Sequence, residues 1–427
     1  MKVLVVGGGG REHALAWRLS QDPSVTRVLA APGNAGIAEV AECYQVGAED
    51  TEGIVDLVER LDVELTVVGP EAPLVAGLAD ELRRRRRDVF GPSAAAARIE
   101  GSKAFAKEVM ARRGVPTARW GEFDDVMEAT SFVDALGGAA VVKADGLAGG
   151  KGVTVATDRG SAVTAIEACL AGAFGHAGRT VVVEEVLHGP EISVFVVTDG
   201  QGNCVLLDAA QDHKRVGDGD MGPNTGGMGA FSPVPRLDPE TATHILDTVM
   251  AQVVDELRPY RGVLFAGLML TTDGPKVLEF NCRFGDPEAQ VLLPRMPYSV
   301  GKLLHACATG RLAHEAGHAG FDDDAAVAVV MASGGYPGPY ETGRPILGLD
   351  RAAALEGVTV FHSGTARDDE GRIVTAGGRV LTVTGTGATI TEARTRAYAA
   401  VDTIHFEGAH VRRDIAARAA REESLIT

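Results

Sequence analysis

Short apolar runs alternate with segments of helical periodicity over the first hundred residues of the chain. Runs of strand length lie at 3–6, 28–31, 65–68 and 89–90, and helical segments lie at 12–19, 54–61 and 74–87. This alternation predicts an open, mostly parallel sheet. Gly- and Pro-rich turns follow the strands, at the edge where sheets of this kind bind their ligands.

The pattern changes after a helix predicted at 102–113. Strands are predicted at 139–143, 152–156 and 180–185, and a helix at 162–171. Two β-hairpins are predicted, one pairing 192–198 with 205–209 and the other pairing 264–271 with 276–280. A long glycine-rich loop at 212–232 and a helix near 242–257 separate them, and a last segment begins near residue 325 and ends in a helix at 390–402. The fold class is therefore α/β combined with α+β, in several domains.

Length and charge narrow the class of protein. At roughly 150 residues per domain, the 427 residues predict two to four domains. The chain has 41 basic and 58 acidic residues and a net charge of −17, which disfavours nucleic acid as its partner. Its five cysteines are scattered, and neither a signal peptide nor an apolar stretch of membrane-spanning length is evident. We expect a cytoplasmic protein that binds no membrane.

Four glycines at 7–10 stand between the first predicted strand and helix. Backbone N–H groups in such a turn can approach a phosphate at the helix N-terminus. A dinucleotide site would also need an acidic residue for the ribose after the second strand, but that strand ends in Ala30-Ala31-Pro32. The loop therefore predicts an anion site without the residues that read NAD, and a tight turn without a ligand is the alternative.

A second glycine-rich loop lies between the strands predicted at 139–143 and 152–156. It carries Lys143 at the end of one strand and Lys151 within the loop, where a lysine could fold over a triphosphate. Only eight of the 41 basic residues are lysines. In a chain so rich in arginine, a lysine indicates a position that needs a compact positive charge rather than a position that merely faces solvent.

Polar side chains alternate with apolar ones at 279–283. On a strand, Glu279, Asn281 and Arg283 would share one face, while Phe280 and Cys282 would point into the core. A carboxylate and an amide oxygen on one face suit Mg²⁺, and the arginine suits a carboxylate or phosphoryl group. A structural salt bridge is the alternative. The polar, glycine-rich stretch at 211–229 is typical of an active-site loop rather than of a core.

Eight segments together closely resemble the phosphoribosylamine–glycine ligase family (glycinamide ribonucleotide synthetases) of ATP-grasp enzymes. They read GGGGREHAL, APGNAG, VVGPEAPL, FGPS, GSKAFAK, VVKADGLAGGKGV, QDHKRVGDGDMGPNTGGMGAFSP and VLEFNCRFGDPE. The resemblance implies a reaction of de novo purine synthesis that joins glycine to 5-phosphoribosylamine. ATP would first convert the glycine carboxylate to glycyl phosphate, which the sugar amine then attacks, leaving glycinamide ribonucleotide, ADP and phosphate.

The resemblance also implies site residues. ATP would be held by Lys103, Lys143, Lys151, Gly149, Gly150, Gly152, Glu184, Glu185, Val186 and Glu191, with the lysines on the phosphates, residues 184–186 on adenine and Glu191 on the ribose. Mg²⁺ or Mn²⁺ would bind Glu279 and Asn281. The sugar substrate would be bound by Gly9, Gly10, Gly69, Pro70 and Glu71, and Asn224 and Thr225 would also bind substrate. Asp212, Lys214 and Arg283 would act on glycine and its acyl phosphate.

The domain organisation implied by the resemblance has three stretches of chain. A parallel-sheet domain similar to the N-terminal domain of biotin carboxylases spans 1–101, and a two-lobed ATP-grasp centre spans 102–320, with a mobile lobe at about 115–190. A small C-terminal α+β domain spans 321–427. We expect a monomer that binds small molecules. The alternatives are an ATP-grasp ligase for another carboxylate and amine, an NAD-dependent oxidoreductase, and a binding protein without activity.

Overall fold

A computed structural model describes residues 1–147, 152–173, 179–235, 237–314 and 321–426. The N-terminal elements are β1 (Lys2–Gly7), α1 (Gly10–Ser20), β2 (Arg27–Pro32), β3 (Glu42–Cys43), α2 (Thr51–Arg60), β4 (Leu65–Val68), α3 (Glu71–Val75), α4 (Leu78–Arg84), β5 (Val89–Phe90) and α5 (Ala94–Gly101). Their strands form a five-stranded sheet of order β3-β2-β1-β4-β5, and every pairing in it is parallel. The predicted open parallel sheet is confirmed.

One helix prediction in this region is wrong. The single helix expected at 74–87 is two helices, α3 and α4, separated by Gly77. Gly77 has a φ of +93°, in the left-handed region that breaks a helix and that glycine adopts without strain. Arginines occupy positions 83–87 at the end of α4. One of them, Arg85, pairs with Glu81 of α4 and with Glu59 of α2.

The next segment forms a small lobe around an antiparallel sheet. Its elements follow helix α6 (Lys103–Arg113) and are β6 (Trp120–Phe123), α7 (Val126–Ala135), β7 (Ala140–Ala144), β8 (Val153–Ala156), α8 (Arg159–Leu170) and β9 (Val181–Glu184). The strand order is β6-β9-β7-β8. Helices α7 and α8 pack on this sheet, and the small lobe has an apolar cluster of its own. The apolar core of the small lobe is therefore separate from those of the rest of the chain.

A large lobe and a set of short strands follow. The elements are β10 (Glu191–Asp199), β11 (Cys204–Leu206), β12 (Gln211–Asp212), β13 (Arg215–Gly217), β14 (Met221–Asn224), β15 (Gly229–Ser232), α9 (Pro239–Ile245), α10 (Ala251–Glu256), β16 (Arg261–Thr271), β17 (Gly274–Asn281), α11 (Ala289–Leu292) and α12 (Val300–Ala308). A π-helical turn at Leu246–Met250 joins α9 to α10. The large-lobe sheet has the order β11-β10-β16-β17, which confirms both predicted hairpins.

The C-terminal part is built on a third antiparallel sheet. Its elements are β18 (Ala325–Ala332), α13 (Leu349–Ala353), β19 (Val358–His362), β20 (Thr365–Arg367), β21 (Ile373–Thr375), β22 (Arg379–Gly387), α14 (Ile390–Val401), β23 (His410–Val411) and α15 (Ala417–Ile426). The sheet order is β12-β15-β18-β22-β19. Part of the region predicted as a loop at 212–232 thus supplies strands to this sheet.

Apolar packing joins the N-terminal sheet to the large lobe. One cluster contains Leu4 and Leu29 from the N-terminal sheet together with Val194 and Leu264 from the large lobe. Short 3₁₀ turns complete the regular structure at Ile37–Glu39, Asp218–Asp220, Leu293–Arg295 and Leu312–His314. Across the described ranges, no helix is both long and apolar enough to cross a membrane.

Candidate active site

Two adjoining cavities lie between the parts of the chain. The N-terminal part, both lobes and the C-terminal part all line the inner cavity, whereas the two lobes and the C-terminal part line the outer one. The inner cavity has a volume of about 340 Å³ and the outer cavity a volume of about 830 Å³. Both are lined by Lys143, Glu184, Asp212, Lys214, Thr225 and Glu279. The residues shared by the two cavities are mostly charged, so a ligand spanning both would pass through a concentrated electrostatic field.

The end of β17 carries the polar face that the sequence predicts. Glu279, Asn281 and Arg283 all line the inner cavity. Phe280 and Cys282 are buried, although Phe280 also lies on the wall of that cavity. Burial alone would raise the pKa of Glu279, but nearby cations, led by Lys214 and Lys143, outweigh it and lower that pKa to about 2. Glu279 is therefore ionised throughout the physiological pH range.

Arg283 is held by two acids from other elements. Its guanidinium lies 2.8 Å from Glu100 and 3.2 Å from Glu71, and Nη2 donates to Asn281 Oδ1 at 3.1 Å. The salt bridge that was the structural alternative for this arginine therefore exists. Arg283 also lines the inner cavity, so the ion pairs fix its guanidinium beside the space a substrate would occupy.

Lys214 joins acids on two strands of the large lobe. Its Nζ contacts Glu191 on β10 and lies 3.6 Å from Glu279 on β17. Burial would lower the pKa of Lys214, but Asp212, Glu191 and Glu279 together raise it well above its ordinary value. Lys214 thus carries a permanent positive charge at the boundary between the two cavities.

Asp212 and Glu288 are buried carboxyl groups of the inner cavity whose pKa values are raised rather than lowered. Burial, reinforced by neighbouring carboxylates, raises the pKa of Asp212 well above its ordinary value despite Lys214. Burial also raises the pKa of Glu288, whose Oε1 accepts a hydrogen bond from Ser193 Oγ at 3.1 Å. Asp212 Oδ1 is buried without a hydrogen-bond partner. This pair holds a proton more readily than isolated carboxyls do.

Glu184 lies at the end of β9 between two lysines. Lys143 Nζ lies 2.7 Å from Glu184 Oε1, and Lys107 Nζ lies 2.8 Å from Oε2. Burial opposes the charge, but the two ammonium groups hold the pKa of Glu184 below its usual value. Burial also lowers the pKa of Lys107, to about 8, although Glu184 partly offsets it.

Helix α6 begins at the edge of the inner cavity. Asp145, which follows β7 of the small lobe, accepts the backbone N–H of Lys103 at 2.5 Å and that of Ala104 at 3.2 Å. These contacts cap the free N–H groups of the helix. The Lys103 side chain contacts the same segment, because its Nζ donates to the Gly146 carbonyl at 2.8 Å.

Most of the predicted site residues come together in this region. The inner cavity is lined by Glu71, Lys103, Lys143, Gly152, Glu184, Asp212, Lys214, Thr225, Glu279, Asn281 and Arg283. The outer cavity adds Glu185, Val186, Glu191 and Asn224. Gly149, Gly150 and Lys151 lie outside the described residues.

Four predicted substrate residues line neither cavity: Gly9, Gly10, Gly69 and Pro70. The buried side chain of Glu12 lies against two of them, Gly9 and Gly69. Its Oε2 accepts the Gly9 N–H at 2.7 Å, its Oε1 accepts from Arg11 Nε at 2.5 Å, and a Cβ at Gly69 would overlap it. Arg11 itself lines the inner cavity and so connects the loop to the site.

Several cavity residues were missed by sequence reasoning, namely Arg11, Glu100, Lys107, Asp286, Glu288 and Arg379. Arg379 reaches across from β22, where its Nη2 lies 2.8 Å from Asp286 Oδ2. No local pattern predicts this contact, because the two residues are 93 positions apart. Among these missed residues, only Lys107 is marked by a feature of the sequence, namely the scarcity of lysines in the chain.

The donor set fits a divalent cation held chiefly by a ligand. In the described part of the chain, no cluster of three or more His, Cys, Asp or Glu side chains could hold a metal unaided. Glu279 offers an ionised carboxylate and Asn281 an amide oxygen, both facing the inner cavity. Mg²⁺ prefers a small number of protein oxygens, with phosphate and water oxygens as its remaining ligands.

Known proteins resemble the chain along almost its whole length. Residues 1–100, 101–289 and 326–418 match the N domain, the ATP-grasp (A) domain and the C domain of phosphoribosylglycinamide synthetase. The chain is 54% identical over 426 residues to a phosphoribosylamine–glycine ligase of Streptomyces coelicolor, spanning 98% of this chain and 100% of the relative. It is 50% identical over 427 residues to that of Mesorhizobium japonicum, spanning 99% of each.

Solved structures agree with the sequence matches. The crystal structure of phosphoribosylamine–glycine ligase from Thermotoga maritima has a TM-score of 0.83 at 33% identity, covering 97% of this chain and 100% of that chain. The biotin carboxylase domain of 2-oxoglutarate carboxylase from Hydrogenobacter thermophilus has a TM-score of 0.75 at 20% identity, covering 96% and 91%. The second likeness shows the fold alone.

The chain has two antiparallel lobes that enclose a lysine-rich cavity beside a parallel-sheet domain. This arrangement defines an enzyme of the ATP-grasp class, which uses ATP. The identity to curated relatives over nearly the whole length places the chain within that class. The chain belongs to the phosphoribosylamine–glycine ligase family.

Proposed function

We propose that the residues around the two cavities carry out ATP-dependent ligation of glycine to 5-phosphoribosylamine, the reaction of this family in de novo purine biosynthesis. The products are glycinamide ribonucleotide, ADP and phosphate. The observation that carries the assignment of roles is the cluster of Lys103, Lys143, Lys214 and Arg283 around Glu279, since all four lower its pKa. Such a group of cations neutralises developing phosphate charge.

The chemistry explains why ATP is needed. A carboxylate is a poor electrophile, so an oxygen of glycine attacks the γ-phosphorus, the bond to the leaving ADP oxygen breaks, and glycyl phosphate forms. The sugar amine then attacks the acyl carbon, phosphate leaves, and the nitrogen loses a proton. Positioning and charge neutralisation do most of this work. Arg283 and Lys214 face the acyl phosphate, while Asp212 faces the glycine.

ATP lies across the two cavities in this proposal. The Glu185 and Val186 segment contacts adenine in the outer cavity, and Glu191 accepts hydrogen bonds from the ribose. Lys103 and Lys143 hold the phosphates at the junction with the inner cavity. We assign Gly149, Gly150, Lys151 and Gly152 to the binding of the same phosphates.

A divalent cation would be held by Glu279 and Asn281 together with the phosphates of ATP. We propose Mg²⁺ or Mn²⁺, because carboxylate, amide and phosphate oxygens suit both hard cations. When bound, the ion supplies positive charge to the phosphates. The ionised state of Glu279 means that binding the cation releases no proton from this side chain.

The sugar substrate is assigned to the N-terminal side of the site. Gly9, Gly10, Gly69, Pro70 and Glu71 form the proposed cradle, and we assign Asn224 and Thr225 to substrate binding as well. We assign this cradle to a domain at 1–101, ATP to the two lobes at 102–320 with a moving lobe at about 115–190, and the covering wall to 321–427. We further propose that the chain is a cytoplasmic monomer that binds neither nucleic acid nor membrane.

The test is ADP release by the purified chain with Mg²⁺, ATP, glycine and phosphoribosylamine generated in the assay. ADP release that needs both glycine and the sugar amine is the expected result. Release with other amino acids, or without the sugar amine, would assign a different ATP-grasp reaction. Absence of ADP release from folded protein under every combination would overturn the catalytic roles.

A further inference from the structure

Lys107 takes no part in the proposed reaction, yet it is one of the most deeply buried cations in the described chain. Its side chain is 2% exposed, and Nζ lies 2.8 Å from Glu184 Oε2. Nζ also donates to Thr117 Oγ1 at 2.7 Å. The same carboxylate has Lys143 on its other oxygen, at 2.7 Å. Two lysines therefore share one acid.

These three charged residues come from the two lobes. Lys107 lies on α6, which packs against α10 and β17 of the large lobe, whereas Glu184 on β9 and Lys143 on β7 belong to the small-lobe sheet. Lys143 in turn donates to the carbonyl of Leu278 on β17 at 2.8 Å. The cluster is thus a buried connection across the boundary between the lobes.

Lys107 and Lys143 differ in their contacts other than Glu184. The ammonium of Lys107 is tied to the large lobe through Thr117, whose hydroxyl donates to the Val277 carbonyl at 2.6 Å. Lys143 lines both cavities, whereas Lys107 lines the inner one alone. Lys143 is therefore the lysine with access to a ligand in either cavity.

Charge balance determines what Lys143 can do. A buried carboxylate that loses its counter-ion is strongly disfavoured. Without Lys107, Lys143 would be the sole cation paired with Glu184 and would be held there. With Lys107 in place, Glu184 stays neutralised when Lys143 turns to another anion.

We propose that Lys107 is a positioning residue for ATP binding: it keeps Glu184 neutralised across the lobe boundary so that Lys143 can exchange Glu184 for a phosphate of ATP. This inference rests on the proposed function only in assigning Lys143 to the ATP phosphates. It adds a residue that is assigned no substrate contact but determines how readily Lys143 is released from Glu184.

The test measures ATP affinity of the full-length chain with Mg²⁺ by calorimetry. Lys107→Met should weaken ATP binding about tenfold, the size of effect expected when one partner of a coupled charged pair is removed. Adenosine, which carries no phosphate, should bind the variant and the unmodified chain equally. Lys107→Arg should restore ATP affinity to within about threefold, because it restores the charge. Lys302→Met, on the exposed face of α12, is the matched control.

A double substitution separates positioning from loss of structure. In a Glu184→Gln background no carboxylate remains to be neutralised, so adding Lys107→Met should change ATP affinity less than twofold. Equal weakening of ATP in both backgrounds would overturn the proposal, as would equal weakening of adenosine and ATP. If Lys107→Met is too unstable to purify, Lys107→Gln carries the test, because its amide can still donate a hydrogen bond to Thr117. It should weaken ATP binding and leave adenosine binding unchanged, and equal weakening of both ligands or unchanged ATP affinity would contradict the proposal.

The outcome is independent of the ligation assay. A chain that binds ATP but releases no ADP with glycine and phosphoribosylamine would contradict the proposed function and leave the coupling of Lys107 to Lys143 measurable. A chain that ligates normally while Lys107→Met keeps full ATP affinity would contradict this inference alone.

Discussion

The ammonium of Lys214 bridges two strands by contacting Glu191 on β10 and lying 3.6 Å from Glu279 on β17. One cation thus separates two carboxylates at the junction of the two cavities. Without it, the acids proposed to hold the ribose and the metal would face each other as like charges. Lys214 therefore links nucleotide binding to the phosphoryl-transfer face.

Lys214→Met should lower the rate of ADP release with both substrates by about 100-fold or more, as expected when one charge-stabilising donor is removed. The reason is the lost positive charge beside the acyl phosphate, together with repulsion between Glu191 and Glu279. Steady-state kinetics measure the effect, with Lys302→Met as control. A rate within fivefold of the unmodified chain would remove Lys214 from the mechanism.

Gly69→Ala should disturb the proposed sugar cradle. A methyl group there would overlap the Glu12 carboxylate, which cannot move without losing its hydrogen bond from the Gly9 N–H. We expect the KM for phosphoribosylamine to rise about tenfold, while the KM for ATP stays within about twofold, because the displacement is confined to one part of the site. Gly47→Ala is the control, since no heavy atom lies within 4 Å of its added Cβ. A tenfold rise for ATP instead would place the loop in the nucleotide site.

Two buried histidines predict sensitivity to acid. Burial, with a smaller effect of His362, lowers the pKa of His13 to about 3, and burial lowers that of His362 to about 4. The unfolded chain takes up these protons near pH 6.5, so the stabilisation is complete above that pH and is lost as pH falls towards 4. At pH 5 each histidine should cost about 2 kcal/mol relative to pH 7.

His13→Asn provides the check, because its amide oxygen can accept the His362 N–H that His13 Nδ1 accepts at 2.7 Å. Guanidinium denaturation at pH 7 and pH 5 should show a loss of unfolding free energy smaller by about 2 kcal/mol in the variant. The same loss in both proteins would mean that His13 is not responsible.

Much of the fold was predictable because its signals are local. Strand and helix periodicity gave the parallel N-terminal sheet and both long hairpins, and alternation gave the shared face of Glu279 and Asn281. The pairing of β15 with β18 was not predictable, since the two strands lie about a hundred residues apart and no short pattern specifies them. The break at Gly77 was missed because helical periodicity continues on both sides of it.

The site was predictable to the extent that motifs mark chemistry. Lys143, Lys214 and Glu279 stood out by residue type and context, and they line both cavities. Arg379 did not stand out, and Lys107 was marked only by the scarcity of lysines. Their importance comes from partners on other elements: Glu184 for Lys107 and Asp286 for Arg379. Contacts of this kind are set by tertiary packing and leave no periodic trace.

Arg295→Met should destabilise the fold. This buried arginine donates to Asp208 and Ser232 at 2.5 Å each and to the Asp322 carbonyl at 3.0 Å, so it joins the large lobe to the C-terminal sheet. Breaking a buried, multiply bonded ion pair costs about 3–5 kcal/mol. Thermal and guanidinium unfolding measure the loss. Arg84→Met, an exposed member of a surface pair with Glu81, should change stability by less than about 1 kcal/mol. Equal effects of the two substitutions would contradict the structural role of Arg295.

The most direct test of the account follows oxygen through the reaction. Glycine labelled with ¹⁸O in its carboxylate is incubated with the chain, Mg²⁺, ATP and phosphoribosylamine, and the released phosphate is analysed by mass spectrometry. Passage through glycyl phosphate predicts one ¹⁸O atom in each phosphate formed, because the acyl carbon loses the oxygen that attacked phosphorus. Phosphate without ¹⁸O, released together with ligated product, would contradict the central claim that this site activates glycine by phosphorylating its carboxylate.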